Sequence, residues 1–517
     1  MPLTMSRHNP PQICAVVAEP TIEAARVAVR RASAQADLIE LRLDYLRDFD
    51  FNDAENLRPL LDAKPLPVII TCRAATEGGD QKIDDRARLR LLVEGARRMA
   101  DYCDIEASYY DQAARLAPDL SRLIVSYHNF DETPARLEKV YEKICALPAA
   151  IYKIATRARS ATDALAIFRL LDRARAEGKR LIALAMDEPG LITRLMGPVR
   201  GSFLTYGALA RGAETAPGQV TCDEMRRLYR IDRVSESTQI TGIIGHPVSH
   251  SASPAMHNRA FEACGLDFIY IPMEVDDPVA FFKRFIRPAS REIAWNLRGL
   301  SVTIPHKTAI IDLLDEIDET ARGAGAVNTL VIEGDRVKGY NTDVEGAIAP
   351  LLSVGSLEGE HFAVIGAGGA ARAVIYGLAR HGARVSLFAR DVKKARAIAD
   401  SLEGIRIERI DSIDGIATSA ASVLINTTPV GMRGHSEGES PVPYEAFDGR
   451  RLAYDLVYNP LETRFLKEAQ GAGCKTISGI EMLVAQAALQ FELWTQKRPS
   501  IELLRDAALE KLTSENE

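Results

Sequence analysis

Eight short apolar runs, each followed by a polar helical pattern, recur through the first 232 residues. The runs are rich in β-branched residues and lie at 13–19, 37–44, 67–73, 102–108, 122–128, 150–156, 180–187 and 202–208. Between them lie amphipathic segments such as TIEAARVAVRRASAQ and ATDALAIFRLLDRARAEGK. Eight strands that each lead into a helix are typical of a closed (β/α)8 barrel and unlike an open doubly wound sheet. We therefore expect an α/β protein whose first part is a TIM barrel.

Charged side chains end several of these otherwise apolar runs. Catalytic groups of (β/α)8 barrels lie at the C-terminal ends of the strands. Because a buried charge is costly unless it serves a polar site, we expect an active site at the barrel mouth. For a lone arginine an exposed strand end is the simpler interpretation, whereas a histidine and a lysine on adjacent strands favour catalysis. The charged residues at these ends are Glu40, Arg42, Arg73, Glu106, His128 and Lys153.

The pattern changes after a polar stretch, DRVSESTQ, at 232–239. One α/β unit runs from ITGIIG to LRGLSVTIPHK, and a second begins at HFAVIGAGGAARAV. In the second unit a buried strand leads into a helix through a glycine-rich turn, which brings the backbone close to a pyrophosphate at the helix N-terminus. We therefore predict a Rossmann domain. Its dinucleotide-binding turn consists of Gly366, Ala367, Gly368, Gly369 and Ala370.

Basic residues at the end of the next strand, VSLFAR, indicate which dinucleotide is bound. An acidic residue at such a strand tip usually binds the ribose hydroxyls of NAD, whereas basic groups suit the extra phosphate of NADP. Arg390 can place its guanidinium on that phosphate, and Lys393 and Lys394 follow closely. Asp391 argues in the opposite direction. The predicted cofactor is therefore NADP(H), with its selectivity over NAD left open.

Composition argues against several other classes of protein. The 517 residues carry a net charge of -7 without a long basic stripe, so nucleic acid and anionic membranes are not expected partners. The seven cysteines lie far apart without a CxxC pair, which indicates a reducing compartment and neither a zinc cluster nor a disulfide framework. No signal peptide, transit peptide or membrane-length apolar run is recognisable. We expect a cytoplasmic enzyme without a metal ion, and a homodimer is a candidate assembly.

Six stretches of the first half are ELRLD (40–44), TCRAATEGG (71–79), VSYHNF (125–130), YKIA (152–155), ITR (192–194) and TAPGQ (215–219). In this order they resemble type I 3-dehydroquinate dehydratases. The resemblance implies that Lys153 forms a Schiff base with the substrate ketone, that His128 transfers protons and that Glu77 orients His128. An apolar barrel mouth would help to keep the lysine nucleophilic. The implied substrate-binding residues are Glu40, Arg42, Arg73, Arg194, Thr215 and Gln219.

The second half contains GHPVSHSASPAMHN (245–258), SVTIPHK (301–307), GAVNTL (325–330), NTD (341–343), GAGGAARA (366–373), NTTPVGM (426–432), DLVYNP (455–460) and GIEMLVAQAALQFELW (479–494). These stretches resemble shikimate dehydrogenases. The resemblance implies that Lys307 and Asp343 form the catalytic pair at the oxygen where an alkoxide develops. The implied substrate-binding residues are Ser251, Ser253, Thr303, Asn328, Tyr458 and Gln486. The implied cofactor-binding residues, besides the glycine-rich turn, are Arg390, Lys394, Thr427 and Gly479.

The chain departs from the two family patterns at three places. Thr215 stands where relatives of the first half often have serine, which keeps the hydroxyl. Ser301 stands where many stand-alone relatives of the second half have asparagine, so a contact to a substrate hydroxyl is altered. The sequence Ala389–Asp391 stands where relatives commonly read Asn-Arg-Thr, which bears on the preference for NADP.

Together the resemblances predict three domains and two consecutive reactions. The domains are a barrel at 1–232, a substrate-binding domain at 238–345 completed by helices at 480–517, and a Rossmann domain at 346–479. The expected reactions are dehydration of 3-dehydroquinate and NADPH-dependent reduction of its product, 3-dehydroshikimate, to shikimate. One alternative is a dehydratase fused to a quinate/shikimate dehydrogenase with mixed or NAD preference. A second is a non-catalytic regulator that binds these metabolites, which the retained lysine, histidine and aspartate residues argue against.

Overall fold

A computed structural model of the protein describes residues 11–62, 64–116 and 121–514. These residues form one sheet of eight strands and two sheets of six. They belong to two compact units, one of Met1–Thr238, Ile271–Phe285 and Arg291–Asn296, and the other of Gln239–Tyr270, Ile286–Ser290 and Leu297–Glu517. Among the helices of the described residues, none combines the length and the apolar character needed to cross a membrane.

The eight-stranded sheet is the predicted parallel barrel. Its strands are β1 (Ile13–Val17), β2 (Leu38–Arg42), β3 (Val68–Thr71), β4 (Tyr102–Glu106), β5 (Leu123–Asn129), β6 (Ile151–Arg157), β7 (Leu181–Met186) and β8 (Thr205–Ala208). The order is β7-β6-β5-β4-β3-β2-β1-β8, and paired neighbours run parallel. A bridge between Leu181 and Ser202 joins the start of β7 to the residues before β8. Six of the eight strands therefore lie within the predicted runs, and β5 and β6 each extend one residue beyond theirs.

Helices follow the strands as predicted, with one exception. They are α1 (Ile22–Ala32), α2 (Arg58–Leu61), α3 (Asp85–Arg98), α4 (Tyr110–Leu116), α5 (Leu137–Cys145), α6 (Ala164–Ala176) and α7 (Leu191–Met196). Helix α1 begins where the Thr21 side chain accepts a hydrogen bond from the N–H of Ala24, which satisfies a free donor of the first turn. In the described residues β8 is followed by a five-residue π-helical turn, Glu224–Leu228, instead of an eighth α-helix.

The barrel interior changes from apolar to polar along the strands. Side chains near the strand starts pack into one apolar cluster that includes Leu38, Ile69, Ile124, Ile151, Ile182 and Leu204. Because side chains alternate along a strand, the residues two positions later face the same interior. These are Glu40, Thr71, Ser126, Lys153, Leu184 and Tyr206, and all of them are buried. The polar layer therefore lies directly above an apolar floor.

The next sheet in the sequence is mixed, with the order β10-β9-β11-β13-β14-β12. The strands are β9 (Gln239–Gly245), β10 (Phe268–Glu274), β11 (Leu297–Val302), β12 (Glu316–Ile317), β13 (Thr329–Glu333) and β14 (Arg336–Tyr340). The helices in this stretch of the sequence are α8 (Ser253–Ala263), α9 (Pro278–Phe281), α10 (Glu319–Ala324) and α11 (Thr342–Leu352). Strand β11 runs parallel to β9, whereas β13 runs antiparallel to both β11 and β14.

The last sheet is parallel, with the order β17-β16-β15-β18-β19-β20. Its strands are β15 (His361–Ile365), β16 (Arg384–Phe388), β17 (Ile407–Asp411), β18 (Val423–Asn426), β19 (Leu452–Asp455) and β20 (Lys475–Ile477). The helices are α12 (Gly369–Arg380), α13 (Val392–Ser401), α14 (Arg464–Gly471), α15 (Gly479–Thr495) and α16 (Ile501–Ser514). When β15 is counted as the first strand, this order is the 3-2-1-4-5-6 arrangement of a Rossmann fold, as predicted.

Helix α15 leaves the Rossmann sheet and packs on the substrate-binding part of the unit. Gly346 in α11 allows this approach, because a Cβ atom there would lie only 2.8 Å from the Cβ of Gln486 in α15. The side chains of Val484, Phe491 and Trp494 join the apolar cluster around α8. Helix α15 therefore packs against both α11 and the apolar cluster around α8.

Candidate active sites

Lys153 on β6 lies inside the barrel between two carboxylates. Its Nζ donates to Oδ2 of Asp104 at 3.0 Å and lies 3.4 Å from Oε1 of Glu40. The ring of Tyr206 lies on another side, with its centroid 4.4 Å from Nζ. The side chain of Lys153 is only 7% exposed. The prediction that Lys153 lies among apolar groups is wrong, because charged and aromatic side chains surround its nitrogen.

Asp104 on β4 joins Lys153 to a second cation, Arg73. Its Oδ1 accepts a hydrogen bond from Ser126 at 2.6 Å and lies 3.0 Å from Nη1 of Arg73. Although burial opposes ionisation, Arg73 and Lys153 hold the pKa of Asp104 well below its usual value. Asp104 and Ser126 were not predicted as site residues. They precede Glu106 and His128 by two positions, so strand alternation could have identified them.

His128 on β5 is close to Glu77 but does not share a hydrogen bond with it. Its Nδ1 lies 3.6 Å from Oε2 of Glu77 and has no hydrogen-bond partner among the described residues. The other oxygen of Glu77 accepts a hydrogen bond from Ser108 at 2.8 Å. Burial, together with Arg73 and Lys153, lowers the pKa of His128 well below its usual value. His128 is therefore a neutral imidazole near pH 7, ready to accept a proton.

Arg194 on α7 is a buried guanidinium with few hydrogen bonds to offset the loss of water. It is 1% exposed, and its Nε has no hydrogen-bond partner among the described residues. Its Nη2 donates at 3.4 Å to the carbonyl of Pro217, in the loop where Gln219 accepts a hydrogen bond from the N–H of Thr215. Burial lowers the pKa of Arg194 to about 10. Such a group is suited to bind a carboxylate, which would supply the missing charge and acceptors.

Arg42 and Glu40, by contrast, already have partners. Arg42 donates to both oxygens of Asp44, at 3.0 and 2.8 Å. Although burial opposes ionisation, Arg42 holds the pKa of Asp44 below its usual value. Glu40 accepts a hydrogen bond from Thr71 at 2.8 Å. Of the three arginines predicted for this site, Arg42 and Arg73 therefore already pair with carboxylates, whereas Arg194 has no carboxylate within ion-pair distance in the described residues.

In the second unit, Lys307 and Asp343 form a close pair. The Nζ of Lys307 donates to Oδ2 of Asp343 at 2.5 Å. The other oxygen, Oδ1, accepts from the amide of Asn328 at 2.8 Å. Asp343 lies in the first turn of α11, which Asn341 caps by accepting from the N–H groups of Asp343 and Val344. The helix start therefore fixes the position of the carboxylate that accepts from Lys307.

The predicted substrate-binding residues of this unit lie on several elements. Ser253 begins α8 and its N–H donates to the hydroxyl of Ser251 at 3.2 Å. Thr303 follows β11 and donates through its N–H to the carbonyl of Ile244. Gln486 on α15 donates to the carbonyl of Leu483, which leaves its amide oxygen for another donor. Tyr458 is partly buried against the apolar cluster that includes α15.

Ser301, one of the departures, is buried in a polar network. Its hydroxyl accepts from the hydroxyl of Tyr270 at 2.8 Å and donates to Oε1 of Gln490 at 2.7 Å. Gln490 in turn donates to Thr329 and to the carbonyl of Asn328. Tyr270 and Gln490 were not predicted as site residues, although Gln490 lies in the stretch GIEMLVAQAALQFELW. The serine at 301 therefore supports the residues around Asn328 from within the protein.

The glycine-rich turn has the geometry that a dinucleotide requires. Gly366 has a φ of 116°, and a Cβ atom there would lie 2.7 Å from Oγ1 of Thr427. Beside Gly368 and Gly369, in contrast, a Cβ would meet nothing within 4 Å. Helix α12 begins here without a side chain that caps its free N–H groups. Open space and free donors at a helix N-terminus fit the pyrophosphate of a dinucleotide.

Two further contacts define this part of the site. Thr427 donates its hydroxyl proton to the carbonyl of Ile365, which holds the end of β18 against the end of β15. Gly479 begins α15 where a Cβ atom would lie 2.5 Å from the carbonyl oxygen of Leu456. Both residues therefore fix backbone segments at the carboxyl edge of the sheet, where ligands of this fold bind.

Asp391 has a structural role of its own beside the exposed Arg390. Its Oδ1 accepts from the N–H groups of Lys393 and Lys394, at 3.0 and 3.1 Å, and caps α13. The carboxylate of Asp391 is therefore engaged as the helix cap, and the guanidinium of Arg390 is exposed to solvent. This arrangement fits a phosphate at Arg390 better than a ribose hydroxyl at Asp391.

Comparisons with known proteins agree with both halves. Residues 13–236 match the family model of type I 3-dehydroquinase, and 243–330 match that of the shikimate dehydrogenase substrate binding domain. Residues 479–509 match the shikimate 5'-dehydrogenase C-terminal domain. A crystal structure of a shikimate dehydrogenase in complex with NADP+ aligns with 37% identity and a TM-score of 0.50, over 54% of this chain and 97% of that chain.

Relatives that contain both parts cover nearly the whole chain. The bifunctional 3-dehydroquinate dehydratase/shikimate dehydrogenase of Arabidopsis thaliana, described as chloroplastic, is 35% identical over 510 residues, which are 94% of this chain and 82% of that protein. The shikimate biosynthesis protein AroDE of Chlamydia pneumoniae is 31% identical over 491 residues, 93% of this chain and 95% of that protein. With the barrel, the Rossmann sheet and the two lysine sites in place, this chain belongs to the family of bifunctional 3-dehydroquinate dehydratases/shikimate dehydrogenases.

Proposed function

We propose that this chain dehydrates 3-dehydroquinate to 3-dehydroshikimate in the barrel and reduces 3-dehydroshikimate to shikimate, with NADPH, in the second unit. The observation that carries the proposal is the presence of two separate lysine sites with different surroundings. Lys153 is buried beside a neutral His128, whereas Lys307 is paired with Asp343 in the unit that holds the glycine-rich turn. The first arrangement suits Schiff-base chemistry, and the second suits proton donation to a developing alkoxide.

In the barrel, Arg194 binds the substrate carboxylate and so directs the ketone toward Lys153. The amine of Lys153 forms an iminium with the ketone, which withdraws electrons from the neighbouring carbon. His128, neutral near pH 7, accepts the proton from that carbon and returns it to the hydroxyl that leaves as water. Burial raises the pKa of Glu77, which lies close enough to approach the imidazolium that forms.

In the second unit, bound NADPH supplies the hydride. Gly366, Gly368 and Gly369 hold its pyrophosphate, and Arg390 with Lys394 binds the extra phosphate. Lys307 donates a proton to the substrate oxygen as charge develops there, and Asp343 keeps the ammonium in place. The hydroxyls and amides that bind the rest of the substrate are those of Ser251, Ser253, Thr303, Asn328 and Gln486, with Tyr458 beside them.

The proposal also covers the cellular location, the binding partners and the assembly of the enzyme. We place the enzyme in the cytoplasm with small molecules as its partners, and a homodimer remains a candidate assembly. Light scattering of the purified chain would measure the number of copies directly. A mass of about twice 56.6 kDa would support the dimer, and a mass equal to one chain would exclude it.

A coupled assay tests both reactions in one protein. The purified chain receives 3-dehydroquinate and NADPH, and loss of NADPH and formation of shikimate are followed together. We expect Lys153→Ala to consume NADPH only when 3-dehydroshikimate is supplied, and Lys307→Ala to accumulate 3-dehydroshikimate. If the parent consumes no NADPH even with 3-dehydroshikimate, the proposal for the second unit is wrong. Quinate with NAD would then be the next substrate pair to measure.

A further inference from the structure

Asp104 has a place in the barrel that no predicted role accounts for. It is 1% exposed, and both of its oxygens are occupied by donors from three different strands or strand ends. Oδ2 accepts from Lys153 at 3.0 Å, whereas Oδ1 accepts from Ser126 at 2.6 Å and lies 3.0 Å from Nη1 of Arg73. The carboxylate therefore has one fixed orientation, with one oxygen directed at the nitrogen that reacts.

The charge of the lysine nitrogen is the same before and after Schiff-base formation. An ammonium and a ketone give a protonated iminium and one molecule of water. The C–N bond forms as the C–O bond breaks, and the two protons that leave nitrogen end in the water. One positive charge and one N–H bond remain on the nitrogen. A fixed anion at hydrogen-bond distance from that nitrogen stabilises both states, provided that it does not itself take up the proton.

We propose that Asp104 is the permanent counter-ion of Lys153, which holds its nitrogen in place and then stabilises the protonated Schiff base formed from it. The inference rests on the proposed dehydratase function and assigns a further catalytic residue to it. Asp104 stays ionised throughout, because Arg73 and Lys153 lower its pKa well below the usual value although burial opposes this. The proton of the dehydration is therefore carried by His128 and not by Asp104.

Glu40 is the other carboxylate near the lysine, and the geometry favours Asp104 over it. Glu40 lies 3.4 Å from Nζ, and its same oxygen accepts the shorter hydrogen bond of Thr71 at 2.8 Å. Asp104 has the shorter contact to Nζ and an oxygen directed at it alone. The charged and titratable groups that face this pair are Cys14 on β1, Glu40 on β2, Arg73 and Glu77 after β3, His128 on β5 and Tyr206 on β8.

The test measures the Schiff base itself. The parent and Asp104→Asn are incubated with 3-dehydroshikimate at a series of pH values and reduced with sodium borohydride, and the trapped fraction is read from the intact mass of the chain. In the parent we expect trapping to persist to high pH. In Asp104→Asn the pH at half-trapping should fall by about one unit or more.

Glu106→Gln is the matched control. Glu106 is buried like Asp104 and lies 3.2 Å from the same Nη1 of Arg73, but its other contacts are Arg88 and the N–H of Ala74. We expect both variants to lower the melting temperature, and only Asp104→Asn to shift the pH at half-trapping. Restoration of the parent profile by Asp104→Glu would support a requirement for charge. Superimposable profiles for the parent, Asp104→Asn and Glu106→Gln would overturn the proposal.

Two outcomes separate this inference from the function on which it rests. If the parent itself shows no trapped adduct, the Schiff-base function fails. If the parent is trapped and Asp104→Asn does not fold, Glu40→Gln decides the question. Under the proposal Glu40→Gln lowers turnover without moving the pH at half-trapping, and a shift of one unit or more in this variant would assign the counter-ion to Glu40 instead.

Discussion

Both halves of the chain build a site from one lysine and one aspartate, but they give the lysine different surroundings. In the barrel, Asp104 is shared between Lys153 and Arg73, so the pair belongs to a closed set of buried charges. In the second unit, Asp343 serves Lys307 alone, and its other oxygen accepts from a neutral amide. The side chain of Lys307 is 20% exposed, against 7% for Lys153. Under the proposed function, the same two residue types support a covalent nucleophile in one site and a proton donor in the other.

Replacing each lysine with arginine separates these two roles and should give the largest effect. Arginine keeps the positive charge but cannot form a Schiff base near neutral pH, because its guanidinium stays protonated. We expect Lys153→Arg to lose at least about 10⁴-fold in dehydratase kcat. Lys307→Arg keeps a cation at the developing alkoxide, so its dehydrogenase kcat should fall by only about 10²-fold. Separate assays of each reaction measure both numbers.

Each variant carries its own control in the unmutated half. Dehydrogenase activity of Lys153→Arg should stay at the parental level, which shows that the chain is folded and present. A dehydratase activity above about 1% of the parental value in Lys153→Arg would contradict this comparison. It would show that residue 153 acts through its charge and not through a covalent bond.

The second prediction compares how the two sites bind the substrate carboxylate. In Arg194→Met, loss of a buried guanidinium should raise the KM for 3-dehydroquinate by about 10²-fold. The free energy of unfolding should not fall, because the buried charge of Arg194 has no carboxylate partner in the described residues. In Ser253→Ala, loss of one neutral hydroxyl should raise the KM for 3-dehydroshikimate by only about tenfold.

Steady-state kinetics and urea unfolding of the two variants test this contrast. A large loss of stability in Arg194→Met would contradict it, since that result would show that the guanidinium supports the fold. An equal rise in KM in both variants would show that charge contributes nothing beyond a hydroxyl in binding this carboxylate.

The third prediction concerns Asp455, a buried aspartate without a cation beside it. It accepts hydrogen bonds from Asn426, from Thr463 and from the N–H of Val457. Burial raises its pKa from 3.8 to about 6, opposite to the shift of Asp104. Because the folded state holds this proton more tightly than the unfolded state, stability falls as the pH rises from about 4 to about 6. The loss from this one group is about 3 kcal/mol at most.

Asp455→Asn removes the charge and keeps the shape. Its amide oxygen can still accept from Asn426 and Val457, so we expect the variant to lack this decline in stability and to be more stable than the parent above pH 6. The difference in unfolding free energy between parent and variant, measured at pH 4, 5, 6 and 7, isolates the contribution of this residue. A difference that is independent of pH would contradict the assignment.

The sequence predicts most of this fold because its signals are local. Eight β-branched runs and one glycine-rich turn mark the barrel and the Rossmann sheet without any knowledge of contacts. The motifs also mark Lys153, His128, Lys307 and Asp343, which the structure brings together with polar neighbours. The eighth barrel helix is an exception, since Glu224–Leu228 follows the helical pattern but forms a single π-turn in the structure.

The partners of these residues could not be read from the sequence in the same way. Strand alternation places Asp104 and Ser126 on the interior face of the barrel, but their contacts join residues 49 and 22 positions apart in the chain. Gln490 contacts Ser301 across 189 positions, and no local pattern encodes that contact. The apolar surroundings expected for Lys153 were wrong for the same reason. Local hydrophobicity describes the floor of the barrel, whereas the polar layer results from the closure of eight strands.

The smallest effect is expected at Arg390, whose side chain is exposed to solvent, unlike the buried Lys153 and the partly buried Lys307. In Arg390→Ala the dissociation constant for NADPH should rise by about tenfold, because a solvent-exposed charged contact to a phosphate contributes little more than 1 kcal/mol. The dissociation constant for NADH should change by less than about twofold, since NADH lacks the extra phosphate. Fluorescence titration of the free enzyme measures both constants without turnover. Arg380→Ala, at the last residue of α12, is a control for loss of one positive charge. If Arg390→Ala weakens NADPH and NADH equally, the guanidinium binds a part common to both cofactors, and the NADP preference must come from another residue.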